Sequence, residues 1–148
     1  MVGVVIASHG RLAEELLAAA QAMVGPLVHV KPVTISVREV CKPAEQLATA
    51  IDELDQGDGV LVLCDLFGGS PSQAACQLLH DKRVEVVSGV NLPMVIKLAS
   101  AREGATLQEL ARLLTVYGQK NVVHASELVR QFEARQSPPA QGPQPGKS

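Results

Sequence analysis

His9 stands one step past an apolar run, in the string Val4-Val5-Ile6-Ala7-Ser8-His9-Gly10. An imidazole titrates near neutral pH and can act as a nucleophile, a base or a metal ligand. Asp65 stands at the end of a second apolar run, Val60-Leu61-Val62-Leu63-Cys64, and leads into Gly68-Gly69-Ser70-Pro71-Ser72. A carboxylate in that position costs free energy unless it is paired or solvated. A hydrogen bond between the two residues would fix the imidazole tautomer, leave a lone pair on the far nitrogen and stabilise the cationic ring formed during group transfer. Gly10 removes bulk beside the ring, and a helix starting near Arg11 offers free backbone N–H groups to an anion. Arg11 either adds charge there or is solvated.

The Gly68-Gly69-Ser70-Pro71-Ser72 segment has two compatible readings. It is a turn with a helix cap, and its amides and the Ser70 hydroxyl could bind phosphoryl oxygens. It lacks the Lys-Ser/Thr of a P-loop and the spacing of a dinucleotide fingerprint. Asn91 follows a third apolar run and Gly89-Val90, which places it at the same edge as a helix cap and a candidate pocket residue. His29, His80 and His124 show no carboxylate motif nearby and read as ordinary residues. No spacing of His, Cys and Asp resembles a zinc site, and no cofactor is implied.

These residues must be held by alternating strands and helices. Val2–Ala7 and Gly59–Cys64 read as strands buried on both faces, Val84–Ser88 as another, and Val33–Val37 as a weaker one. Helices are expected over Arg11–Val24 with Leu12, Leu16, Ala20 and Met23 on one stripe, and from Pro43 with Ala44, Leu47, Ile51 and Leu54. A third should open with a capping box at Ser70-Pro71-Ser72-Gln73 and run to about His80. Asn91 caps a fourth, carrying Leu92, Val95, Ile96 and Ala99. Thr106-Leu107-Gln108-Glu109 is a capping box for a fifth, with Leu107, Leu110 and Leu114. Asn121–Ala125 is a candidate last strand, followed by a short helix through Phe132. The pattern predicts an α/β fold: an open, doubly wound, mostly parallel sheet with helices on both faces. In such sheets ligands bind where strand ends meet helix starts.

The 148 residues suit one domain, 1–136, followed by a Pro/Gln/Gly-rich tail, 137–148, that cannot bury a core. A hydrophobic share of 47% with 19% charged residues supports a packed core. A net charge of -2, one Tyr and no Trp argue against a nucleic-acid binder. Three cysteines, Cys41, Cys64 and Cys76, form no CxxC pair and read as buried small hydrophobes in a reducing cytoplasm. No segment reads as a secretion signal or a membrane span.

Three blocks, Val4–Gly10, Leu63–Pro71 and Ser88-Gly89-Val90-Asn91-Leu92-Pro93-Met94, together resemble the mannose-family enzyme IIA component of the bacterial phosphoenolpyruvate-dependent sugar phosphotransferase system, over about residues 1–130. The resemblance implies a phosphoryl carrier. His9 would accept the phosphoryl group from the histidine-containing phosphocarrier protein and pass it to a IIB component. Asp65 would orient the ring, and Gly10, Gly68, Gly69, Ser70 and Asn91 would line the phosphoryl pocket. It also implies a homodimer that exchanges a C-terminal strand, here near Asn121–Ala125. Family members often continue through a linker into a IIB domain, so a separate IIB chain is the expected acceptor. Arg11 stands where the family can carry an aromatic, a difference that bears on partner choice. A regulatory module, whose His9 phosphorylation state is read by another protein, would use the same two residues. The related subunit serving dihydroxyacetone kinase is a third possibility; Gly68-Gly69-Ser70-Pro71 favours the mannose type.

Overall fold

The structure, a computed structural model, describes residues 1–35 and 42–136. Four Val-rich runs form the sheet: β1 (Gly3–Ser8), β2 (Val30–Thr34), β3 (Val60–Cys64) and β4 (Val84–Ser88). All pairings are parallel, in the order β2-β1-β3-β4. The two central strands are buried along their whole length. They can carry near-continuous apolar sequence because helices cover both faces.

One face packs α1 (Leu12–Val24), α4 (Leu92–Ala101) and α5 (Leu107–Lys120) onto Val4, Ile6, Leu61 and Leu63. The other packs α2 (Pro43–Leu54) and α3 (Ser70–Cys76) onto Val5, Ala7, Val60 and Val62. Successive strand residues face opposite layers, so one run feeds two cores. From β1 the chain moves outward to β2, then returns to the other side of β1 for β3 and β4. The switch point therefore lies between the C-terminal ends of β1 and β3. The register pairs Ile6 with Leu63 and Ala7 with Cys64, so the residues that follow each strand leave the sheet side by side.

Several expectations are corrected. The second strand lies at Val30–Thr34, earlier than expected. It contains Pro32, which an edge strand paired on one side tolerates. Residues 36–37 of the expected strand fall outside the described residues, as do Cys41 and the tail 137–148. In α1 the buried stripe is Ala13, Leu17 and Ala20, while Leu12 and Met23 are exposed. An Ala/Leu-rich helix carries two overlapping apolar stripes, and the turn at Gly10 sets which one faces inward. In α4 the buried stripe is Met94, Val95 and Leu98. The third helix stops at Cys76 and continues as turns to His80.

Residues 121–124 form no strand. They are a non-helical link between α5 and α6 (Ala125–Gln136), which is longer than expected and has every residue exposed. Within the described chain these residues pair with no strand. His124, read from sequence as lacking a carboxylate, has Glu127 at 2.9 Å, one helical turn on. Cys64 is buried as expected, but Cys76 is exposed. No helix among the described residues is long and apolar enough to cross a membrane.

Candidate functional site

The switch point brings together His9, at the exit of β1, and Asp65, at the exit of β3. Asp65 Oδ2 lies 2.7 Å from His9 Nδ1 and accepts the His9 backbone N–H at 3.0 Å. Its second oxygen, Oδ1, accepts the Leu66 N–H at 3.0 Å. The carboxylate side chain is 7% exposed, whereas the imidazole is 44% exposed. One side chain thus holds the turn after β3 and hydrogen-bonds the ring.

Burial pushes the Asp65 carboxyl up, but the hydrogen bonds from His9, the His9 charge and the Leu66 N–H outweigh it and hold the group below the usual carboxylate range. An ionised carboxylate only accepts hydrogen bonds. Nδ1 therefore carries a proton, and in the neutral ring the lone pair is on Nε2. Behind this pair, burial, reinforced by the Asp65 charge, pushes the Cys64 thiol up to about 12. Cys64 is therefore a neutral filler and not a nucleophile.

Local chain geometry fixes His9 from the other side. Gly10 adopts φ +53°, a left-handed turn that glycine enters without a Cβ penalty. The turn brings Ser8 Oγ, fully buried, to the Ala13 N–H at 2.7 Å. This satisfies one of the orphan donors of the first turn of α1. Nothing in the sequence singled Ser8 out. A serine four places before a helix start is the only signal it gives. Arg11 is exposed and paired with Glu14 and Glu15, at 3.4 and 3.6 Å.

The β3–α3 turn is built differently from the capping box expected at Ser70. Gly69 is the N-cap, and Ser70 is already inside the helix. Ser72 Oγ, buried, accepts the Gly68 N–H at 2.8 Å and donates to Gly69 O at 3.2 Å. Gln73 Nε2 donates to Gly68 O at 3.1 Å. Gly69 lies against the imidazole: a Cβ there would sit 2.8 Å from His9 Cε1. Ser70 follows directly and lines a groove with Lys42, Gln73 and Gln77. Leu66, Phe67 and Leu12 leave large apolar surfaces exposed on the same rim, Phe67 at 83%.

Asn91 sits at the same edge, one strand further out. Gly89 and Val90 both donate to Cys64 O, at 3.0 and 2.9 Å, which ties the β4 exit to the β3 exit. The Asn91 side chain accepts the Met94 N–H at 3.1 Å and donates to Gly118 O at 3.0 Å. It thus caps α4, as expected, and also clamps α4 to α5. His9 contacts both Asp65 and Gly69; Ser70 follows Gly69 as the first residue of α3, and Asn91 is engaged in capping α4.

Comparison with known proteins identifies the family. The EIIA-man family model, described as "PTS system fructose IIA component", matches residues 3–114. The chain is 34% identical over 124 residues to the mannose-specific EIIAB component of Escherichia coli K12, covering 82% of this chain but 38% of that relative's length. It is 33% identical over 84 residues to the fructose-specific EIIA component of Bacillus subtilis, covering 56% of this chain and 58% of that protein. Among solved structures, the mannose/sorbose-specific IIA subunit of Enterococcus faecalis superposes with a TM-score of 0.73 at 34% identity, covering 82% of this chain and 92% of that one. A parallel sheet with this site at its switch point, matched by that family over most of the chain, leads to one assignment: the chain belongs to the mannose family of IIA components of the phosphoenolpyruvate-dependent sugar phosphotransferase system.

Proposed function

We propose that the protein carries a phosphoryl group on His9 Nε2, taking it from the histidine-containing phosphocarrier protein and passing it to a IIB component. The observation that carries this reading is the 2.7 Å contact between His9 Nδ1 and Asp65 Oδ2. Nε2 attacks the phosphorus of the donor's phosphohistidine; the new N–P bond forms as the donor's N–P bond breaks, and the donor imidazole leaves with the electron pair. The proton on Nδ1 stays in place throughout, and Asp65 stabilises the positive charge that the ring acquires. Transfer onward is the reverse step with a new acceptor.

Gly10, Gly68, Gly69, Ser70 and Asn91 are the proposed phosphoryl-pocket residues, with the first turns of α1 and α3 supplying N–H donors to the incoming oxygens. The apolar rim of Leu12, Leu66 and Phe67 suits a protein donor that must bring its own histidine to an exposed ring. The proposal includes a homodimer. In support, α6 has no buried residue, and an isolated helix of 12 residues is marginal in water.

Incubation with phosphoenolpyruvate, enzyme I and the phosphocarrier protein tests the reading. The label should be acid-labile, base-stable and map to His9, and His9→Ala should fold but take none. A normally labelled Ala variant would refute the assignment.

A further inference from the structure

The opposite edge of the sheet, at the N-terminal ends of the strands, holds a charge that the chemistry at His9 does not use. Arg102, which ends α4, is 4% exposed, and is the one buried residue among those described that carries a formal charge. Its Nη1 donates to His29 O at 3.2 Å and its Nη2 to Val28 O. Its Nε is buried, with no hydrogen-bond partner among the described residues. The ion pairs among those residues give it no carboxylate. Burial lowers its pKa from the ordinary value. Carbonyl dipoles solvate a guanidinium without neutralising it, and buried charges are ordinarily paired.

Arg102 lines a cavity of about 270 Å³ together with Arg83, Met1, Asp58, Gly104 and Thr106. Arg83 is exposed and spends its Nη1 on Gly57 O at 2.9 Å, which leaves the rest of its fork available. Asp58 is held by the Met1 ammonium and also interacts with the Arg83 charge. The α5 N-terminus adds little, because Glu109 is turned onto the Thr106 N–H at 2.9 Å and Thr106 Oγ1 takes the Glu109 N–H at 3.2 Å. The lining therefore carries two guanidiniums and an ammonium against one carboxylate.

We propose that this cavity is a binding site for a small phosphate-type oxyanion, held between Arg83 and Arg102. A phosphate carries roughly −1.5 to −2 charges at neutral pH, which matches two guanidiniums better than a single carboxylate does. Arginine forks also suit its oxygens. Strands of this length place the cavity on the order of 15–20 Å from His9. The site is independent of the phosphoryl-carrier reading.

The test is a titration of the full ¹⁵N-labelled chain with inorganic phosphate, against sodium chloride at matched ionic strength. It is run in a His9→Ala background so that the site at the other edge cannot respond. Phosphate should give saturable shifts at the amides of residues 102–107 and around Arg83. Arg83→Gln should weaken binding about tenfold or more, as expected for loss of a charged hydrogen bond. Asp58→Asn should tighten it, which keeps the test open if the Gln variant folds poorly. Shifts reproduced by chloride alone, or binding unchanged in a folded Arg83→Gln, would overturn the site.

Discussion

At the scale of single residues, the proposed chemistry rests on one carboxylate with two duties. Asp65 fixes the Nδ1–H tautomer of His9 and also holds the turns after β1 and β3 through backbone N–H groups. Asp65→Asn keeps the shape but loses the charge that stabilises the phosphorylated ring. Phosphoryl transfer by this variant should slow roughly a hundredfold or more, measured as the single-turnover rate from the phosphocarrier protein. Wild-type rates would remove Asp65 from the mechanism.

The same carboxyl sets a pH dependence of stability. Its folded pKa lies below its unfolded value of about 3.9. The stability it contributes is therefore fully present above that value and is lost as pH falls through the lower, folded one. Urea unfolding should show wild type more stable than Asp65→Asn at pH 6, with the gap closing below about pH 4. A gap that stays constant down to pH 3 would mean that the charge contributes nothing to the fold.

At the scale of elements, the β3–α3 turn decides whether the ring can reach its working position. Gly69 is the contact point. A Cβ would meet His9 Cε1 at 2.8 Å, and Leu66 side-chain atoms at 3.1 and 3.2 Å. Gly69→Ala should fold, because the residue is an N-cap with an extended φ of -77° that any residue adopts. The imidazole, however, must swing away from Asp65. A misplacement of about an ångström costs on the order of a hundredfold in rate. The expected result is slow labelling together with shifted His9 ring resonances in a protein of near-native stability. Unshifted resonances would mean that the ring does not press on this turn.

The helix starts show which local signals carry through. Thr106 and Glu109 form the reciprocal pair that their spacing announced, and Asn91 caps α4. Ser70 does not cap α3, because Gly69 takes that place and Ser72 ties the turn from inside the helix. Serines one and three residues past the true N-cap give the same sequence pattern as a capping serine.

At the scale of the molecule, the C-terminal arm is the part without a place. All of α6 is exposed, and Leu128, Val129 and Phe132 fall on one face of it, with Val122 and Val123 exposed just before. In the proposed homodimer this arm is the element that a second copy would cover. Light scattering should give a dimer for a chain ending at Gln136 and a monomer for one ending at Lys120. A stable dimer of the shorter chain would show that other surfaces hold the subunits together.

The sequence by itself determined the elements whose signals are local. Unbroken apolar runs marked β1 and β3 as buried on both faces, and His9 and Asp65 stood out because each is an ionisable residue at the end of such a run. The three blocks that carry the family resemblance are the three strand exits of one sheet edge. Tertiary structure alone decided the rest. The register between β1 and β3 turned two candidates 56 positions apart into a 2.7 Å pair and so selected Nε2 as the free nitrogen. Ser8, Ser72 and the buried Arg102 were silent in the sequence, because their hydrogen-bond partners are set by how turns and helices stack and not by any pattern along the chain. The buried stripe of α1 and the absence of a strand at residues 121–124 have the same origin: both depend on which surface is near, and spacing along a chain holds no record of that.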